Sequence, residues 1–151
     1  MATLNYTTGV PVVRTIGEMQ ESLARHNAAS IAITYEGSKP VGIGFMLKTP
    51  HGFRTFELPV DVAAVHQLLT DQRHGQNGHK TNSRVDNRPE QAERVAWRVA
   101  RDWLFAQLAI IEAQMATLDQ VMLPYLKVDD SHTLYQAYAE REQNLAIGGA
   151  S

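Results

Sequence analysis

The chain has 151 residues, 44% hydrophobic and 20% charged, and its 14 Lys+Arg against 16 Asp+Glu leave a net charge of −2. The absence of cysteine excludes disulfides, thiolate metal sites and a cysteine nucleophile. No apolar run approaches the ~18 residues of a membrane span, and Met1 to Val10 lacks a basic-then-apolar leader, so a cytoplasmic protein without a membrane partner is expected.

Residues 1–13 read as an extended arm, with Pro11 interrupting any strand. Thr15 and Glu18 have the spacing of a capping box, which predicts a helix over about 16–26 closed by Asn27. Three segments rich in β-branched and aromatic residues follow at 30–35, 41–47 and 53–58. The turns between them, around Gly37 and around Pro50-His51-Gly52, are so short that the strands must form an antiparallel meander. Gly42 and Gly44 alternate in the second strand and predict a close approach on one face. Asp61 caps a helix carrying Val62, Val65, Leu68 and Leu69, and residues 73–87 form a polar loop without apolar period. Pro89 and Glu90 open the longest helix, which nothing breaks before about Ala116. Thr117 to Gln120 begins a short helix that Pro124 stops, Ser131 caps a last helix to about Leu145, and 148–151 form a loose tail. The expected fold is α+β, a single domain over 1–147.

Stepping about 100° per residue along the long helix places Ala92, Val95, Val99, Trp103, Ala106 and Ile110 on one core-facing stripe. Arg94, Arg98 and Arg101 align opposite, flanked by Trp97, Leu104, Leu108 and Ile111, with Phe105 one turn beyond Arg101. A helix apolar on two faces needs cover on both. The C-terminal helix, with Leu134, Tyr135, Tyr138 and Leu145, is one candidate cover; a second copy of the chain is another. Leu104, Phe105, Leu108 and Ile111 are therefore candidates for an oligomer or partner interface, and a homo-oligomer is expected.

Charge is unevenly placed. Residues 73–101 hold seven basic side chains against Asp86, Glu90 and Glu93, whereas 102–151 hold two basic and seven acidic ones. Such asymmetry marks a patch for an anionic partner, since arginine forks bind phosphates and tryptophan stacks on bases. The candidate nucleic-acid contacts are Arg73, Lys80, Arg84, Arg88, Arg94, Trp97, Arg98 and Arg101. The same residues also fit structural roles: Glu90–Arg94 and Arg98–Asp102 are i,i+4 ion pairs, and Arg101 is spaced to lie over Trp97.

Catalytic patterns are missing. There is no phosphate-binding loop, no dinucleotide fingerprint and no nucleophile elbow, and the six histidines include no pair at metal-ligating helical spacing. Asp129-Asp130-Ser131-His132 reads as a helix cap with acids at its positive end. No enzyme activity, metal or cofactor is expected.

The segments Arg14–Glu18, Thr49–Gly52, Leu58–Asp61, Ala96–Trp103 and Leu123–Tyr125 together resemble small proteins of bacteriophages, prophages and other mobile elements over roughly residues 13–140. That resemblance implies a phage or mobile-element setting and transfers no catalytic residue. The helix–meander–helix order is also similar in outline to double-stranded RNA-binding domains, but Asp61 begins an almost uncharged helix where those domains carry a basic motif. Two functions follow as expectations: a nucleic-acid-binding accessory protein acting through 73–101, or a protein-interaction module, such as an inhibitor of host defence, acting through the second face of the long helix and the acidic C-terminal part.

Overall fold

The computed structural model describes residues 6–75 and 81–149. The fold is α+β. Helix α1 (Val12–Arg25) leads into a sheet of β1 (Ser30–Glu36), β2 (Lys39–Thr49) and β3 (Gly52–Pro59). Helices α2 (Val62–His74), α3 (Pro89–Glu112) and α4 (Leu118–Met122) follow, then a 3₁₀ turn (Leu123–Tyr125) and α5 (Leu134–Gly149). The chain packs as two compact units: 1–22 with 60–108, and 23–59 with 109–151.

In the first unit, α1 starts earlier than the capping-box spacing suggests. Pro11 opens the helix instead of merely ending an arm, because its carbonyl accepts from the N–H groups of Arg14 and Thr15. Thr15 is thus fully buried inside the helix and caps nothing. The stretch before it is held by the Gln91 amide, which donates to the carbonyls of Tyr6 and Thr8 at 2.9 Å each. Asp61 caps α2 as expected, its Oδ1 accepting from the Ala64 N–H at 3.0 Å. Leu69, Val85, Ala92 and Val95 form the apolar cluster of this unit, with Tyr6, Val62 and Val65 packed against it. Val85 therefore anchors the expected polar loop, and the Arg73 guanidinium donates to its carbonyl at 2.8 Å and to that of Ser83 at 3.2 Å.

The second unit contains the meander, in strand order β1-β2-β3 and antiparallel throughout. Both hairpins are two-residue turns, closed by the pairs Glu36–Lys39 and Thr49–Gly52. Gly37, at φ 64°, supplies the left-handed backbone of the first. Ile43, Phe45, Leu47, Phe56 and Leu58 fill the buried face, with the Phe45 and Phe56 rings stacked 6.0 Å apart. Leu126 bridges to Phe56, and the Lys127 N–H donates to the Thr55 carbonyl at 2.8 Å, which covers part of the β3 edge. The chain then folds back through a Lys127–Thr133 bridge into α5. Thr133 is the cap of that helix, not Ser131: its Oγ1 accepts from the Gln136 N–H, and its own N–H donates to Gln136 Oε1 at 2.8 Å. Asp129 instead takes the N–H groups of Ser131 and His132 in a preceding turn, and those bonds, that of Ser131 foremost, hold its carboxyl below the usual range. Gly148 and Gly149 belong to the helix; Ala150 and Ser151 lie outside the described residues.

The paired glycines of β2 have a concrete neighbour. Glu57 stands opposite Gly44 in the register, and its carboxylate lies over both glycines. From there Oε1 accepts from the Thr34 hydroxyl at 2.8 Å, and Oε2 stands 3.9 Å from the Lys127 ammonium. A Cβ on Gly44 would meet Glu57 Oε2 at 3.5 Å, ordinary contact, so Gly44→Ala is expected to be nearly neutral. The branched methyls of Gly44→Val would displace the carboxylate and break its links to Thr34 and Lys127. The expected loss is about 1–3 kcal/mol in a urea melt, and a Val variant as stable as the Ala variant would refute this role of the glycines.

Candidate functional site

Helix α3 buries only the first part of the stripe its periodicity suggests. Val99 is 38% exposed and Ala106 is exposed, while Trp103 and Ile110 are only half-buried. Ala92 and Val95, at the start of that stripe, are fully buried, and beyond them burial passes to Trp97, Leu104 and Leu108 on the other flank. The reason is electrostatic anchoring to α1. Arg98 forms a close ion pair with Glu18 and donates to Thr15 Oγ1 at 3.2 Å. Arg101 reaches the other Glu18 oxygen at 3.5 Å and Asp102 at 2.9 Å. The arginine face thus lies against α1 and takes its apolar flank inward with it.

This arrangement corrects several expectations. The ring of Trp97 is fully buried, so it is not presented to a base. Arg94 donates to Gln91 Oε1 at 2.9 Å, and Arg98 pairs with Glu18, not Asp102. Arg101 lies over Phe105, 4.1 Å from the ring centroid, not over Trp97, and its buried Nε has no hydrogen-bond partner among the described residues. Leu104 and Leu108 are core residues, which removes them from any partner interface; Phe105 and Ile111 are half-buried. The hydrogen bond from Arg98 holds the Glu18 carboxyl below its usual range, so this carboxylate is a charged hub between two helices.

The basic loop keeps part of its character. Arg73, Arg84 and Arg88 line a polar concavity of about 370 Å³ with Ser83, Val85, Asp86 and Asn87. Arg88 is engaged by Asp86, whose two carboxylate oxygens accept from its Nε and Nη2 at 2.7–3.2 Å. That fork holds the Asp86 carboxyl down to about 2. The Arg84 guanidinium has no partner among the described residues. Lys80 lies outside them. Among the described candidate contacts, Arg73, Arg84 and Arg88 line one concavity, and two of these already hold backbone or carboxylate oxygens.

A second surface was not singled out from sequence. In the second unit, Leu123, Pro124, Leu134, Tyr135 and Tyr138 enclose a groove of about 360 Å³ with a wholly apolar lining. Tyr135 and Tyr138 stand 60% and 59% exposed at its rim, with ring centroids 6.5 Å apart. Leu145, two turns beyond, is 57% exposed. Three of the four apolar side chains expected on the covering face of this helix are therefore exposed. The sequence signal was present in the run of leucines and tyrosines, but periodicity does not say whether an apolar face is covered. Among the described residues no group of three or more acidic or histidine side chains is placed to hold a metal ion, and no helix is long and apolar enough to cross a membrane.

No family model, curated protein or solved structure matches the chain.

Proposed function

We propose that this protein is a non-enzymatic protein-interaction module, acting as an accessory factor of a phage or mobile element, and that its docking surface is the apolar groove between the 3₁₀ turn and α5. The observation that carries this reading is the pair Tyr135 and Tyr138, more than half exposed at the rim of a groove without polar lining. Tyrosines on an apolar pocket are the side chains that anchor protein interfaces, because they bury large area at low entropic cost. The surrounding segment is acidic: residues 109–151 hold Glu112, Asp119, Asp129, Asp130, Glu140 and Glu142 against Lys127 and Arg141. A nucleic acid is repelled by such a surface, whereas a protein that presents an apolar knob with a cation beside it is not.

The basic concavity supports a second reading, a phosphate contact through Arg73, Arg84 and Arg88. Engagement of Arg94, Arg98 and Arg101 inside the fold takes away the row that would have extended it into a nucleic-acid groove.

One purification separates the two. The tagged full-length chain is isolated from its native cell after mild crosslinking, as wild type, as Tyr135→Ala/Tyr138→Ala and as Arg84→Ala/Arg88→Ala. The interaction reading expects a stoichiometric protein partner that the tyrosine variant loses and the arginine variant keeps. A partner retained by the tyrosine variant overturns it. Excess absorbance at 260 nm that disappears between about 50 and 200 mM salt, and in the arginine variant, would move the conclusion to the phosphate reading.

A further inference from the structure

We infer that the occupant of the groove is a second copy of this chain, with two α5 helices paired antiparallel across a two-fold axis; this rests on reading the groove as a protein-docking surface. Leu134, Tyr138, Arg141 and Leu145 recur at spacings of four, three and four residues, so they form one narrow seam along α5. Tyr138 and Leu145 on this seam are 59% and 57% exposed, and every residue from Arg141 to Ile147 is exposed, so the outer half of α5 has no cover within the described chain. Two bare helical turns gain little stability by themselves; packing is what holds such a segment.

The seam is complementary to itself in one register. In an antiparallel pair centred between Ala139 and Glu140, Leu145 of one copy meets Leu134 of the other. Its side chain enters the groove that Leu123, Pro124, Leu134, Tyr135 and Tyr138 enclose. The same register lays Arg141, the one cation of α5, on the Tyr138 ring of the second copy, a cation–π contact. It also brings Tyr135 beside Glu142 of the second copy, where the phenol hydroxyl can donate to the carboxylate. The two-fold axis makes each contact twice, so one helix supplies both the knob and the hole. Each Arg141 thereby places a cation at the seam between the two acidic copies.

The test uses the full chain, and its lack of cysteine makes a clean background for crosslinking. Light scattering after size exclusion is expected to give twice the 16.8 kDa chain mass for wild type. The Leu145→Glu variant, changed at an exposed position, should give the single-chain mass with an unchanged circular dichroism spectrum. Leu134→Cys and Leu145→Cys proteins are then oxidised separately and as a mixture. Antiparallel pairing predicts a disulfide-linked dimer chiefly in the mixture; strong crosslinking of each variant alone indicates parallel pairing and overturns the register. A wild-type monomer at every concentration, or a dimer unaffected by Leu145→Glu, overturns the second copy as occupant. If a different protein is then lost with Tyr135→Ala/Tyr138→Ala, the docking reading of the groove survives; if none is lost, both fail.

Discussion

Trp97→Ala is expected to cost about 3–5 kcal/mol of stability, because it removes the largest side chain that the fold buries completely and the surroundings can collapse only in part. A protein of this size has roughly 5–15 kcal/mol in total, so the variant should be partly unfolded at 37 °C or melt many degrees lower. A urea titration followed by tryptophan fluorescence of the remaining Trp103, with far-ultraviolet circular dichroism as a second probe, measures it. The result also decides between two roles for the residue. A ring that stacks on bases is dispensable for folding, and its loss would weaken nucleic-acid binding while leaving the midpoint in place. A core ring behaves the other way. A destabilisation below about 1 kcal/mol would show that the burial of Trp97 is not what holds α3. Trp97→Phe should fall between the two, since it keeps an aromatic volume and leaves a smaller cavity.

Trp97 also shows what was and was not legible in the sequence. Elements whose signals are local were readable: the meander from its β-branched runs and two-residue turns, the Asp61 cap from its position before an apolar helix, and the closing of α1 by Asn27, whose φ of 66° is the left-handed conformation of a helix end. Where along α3 burial passes from one apolar face to the other was not readable. It depends on Glu18, a residue about 80 positions away in the chain, which draws Arg98 and Arg101 toward α1. Periodicity reports that a face is apolar and is silent on what meets it. The same limit hid the groove. Leu134, Tyr135 and Tyr138 look like core residues in one dimension, and only the fold-back of the chain from Leu126, paired with Phe56, to Leu134 leaves the two tyrosines exposed. Caps failed for a related reason: Ser131 and Thr133 are equally good cap residues, and the backbone bridge between Lys127 and Thr133 selects the second. Gly42 and Gly44 announced a close approach, while its partner, the Glu57 carboxylate, lies on the neighbouring strand and needed the register to be found.

Glu18→Gln is expected to lower stability by about 2–3 kcal/mol, and the melting temperature by about 5–10 °C. The substitution keeps the shape and removes the charge. Arg98 and Arg101 have only 17% and 24% of their side chains exposed, so each must then hold its cation with little water in reach. Arg101 keeps the Asp102 carboxylate at 2.9 Å, but Arg98 keeps only neutral acceptors, the Thr15 hydroxyl at 3.2 Å and the amide oxygen of the substituted side chain. Most of the loss should therefore pass through Arg98, and a double-mutant cycle tests that. Glu18→Gln combined with Arg98→Met removes the stranded cation together with its partner and should recover part of the loss, whereas additive costs would refute a direct pair. Acid provides the same test without mutation. The hydrogen bond from Arg98 holds the folded-state carboxyl of Glu18 below its ordinary 4.5. A depressed folded value means that the unfolded chain takes up the proton first. The stabilisation is accordingly complete above pH 4.5 and fades as the pH falls through the folded value. Asp86, held down to about 2 by Arg88, adds a loss of the same sign between its ordinary 3.8 and about 2. Melting temperatures followed from pH 7 to pH 3 should fall steeply below pH 4.5 in the wild type. The Glu18→Gln protein should start lower and fall less, and its curve should approach that of the wild type at the acid end. Parallel curves offset by a constant amount would place the acid sensitivity elsewhere than at the α1–α3 ion pair.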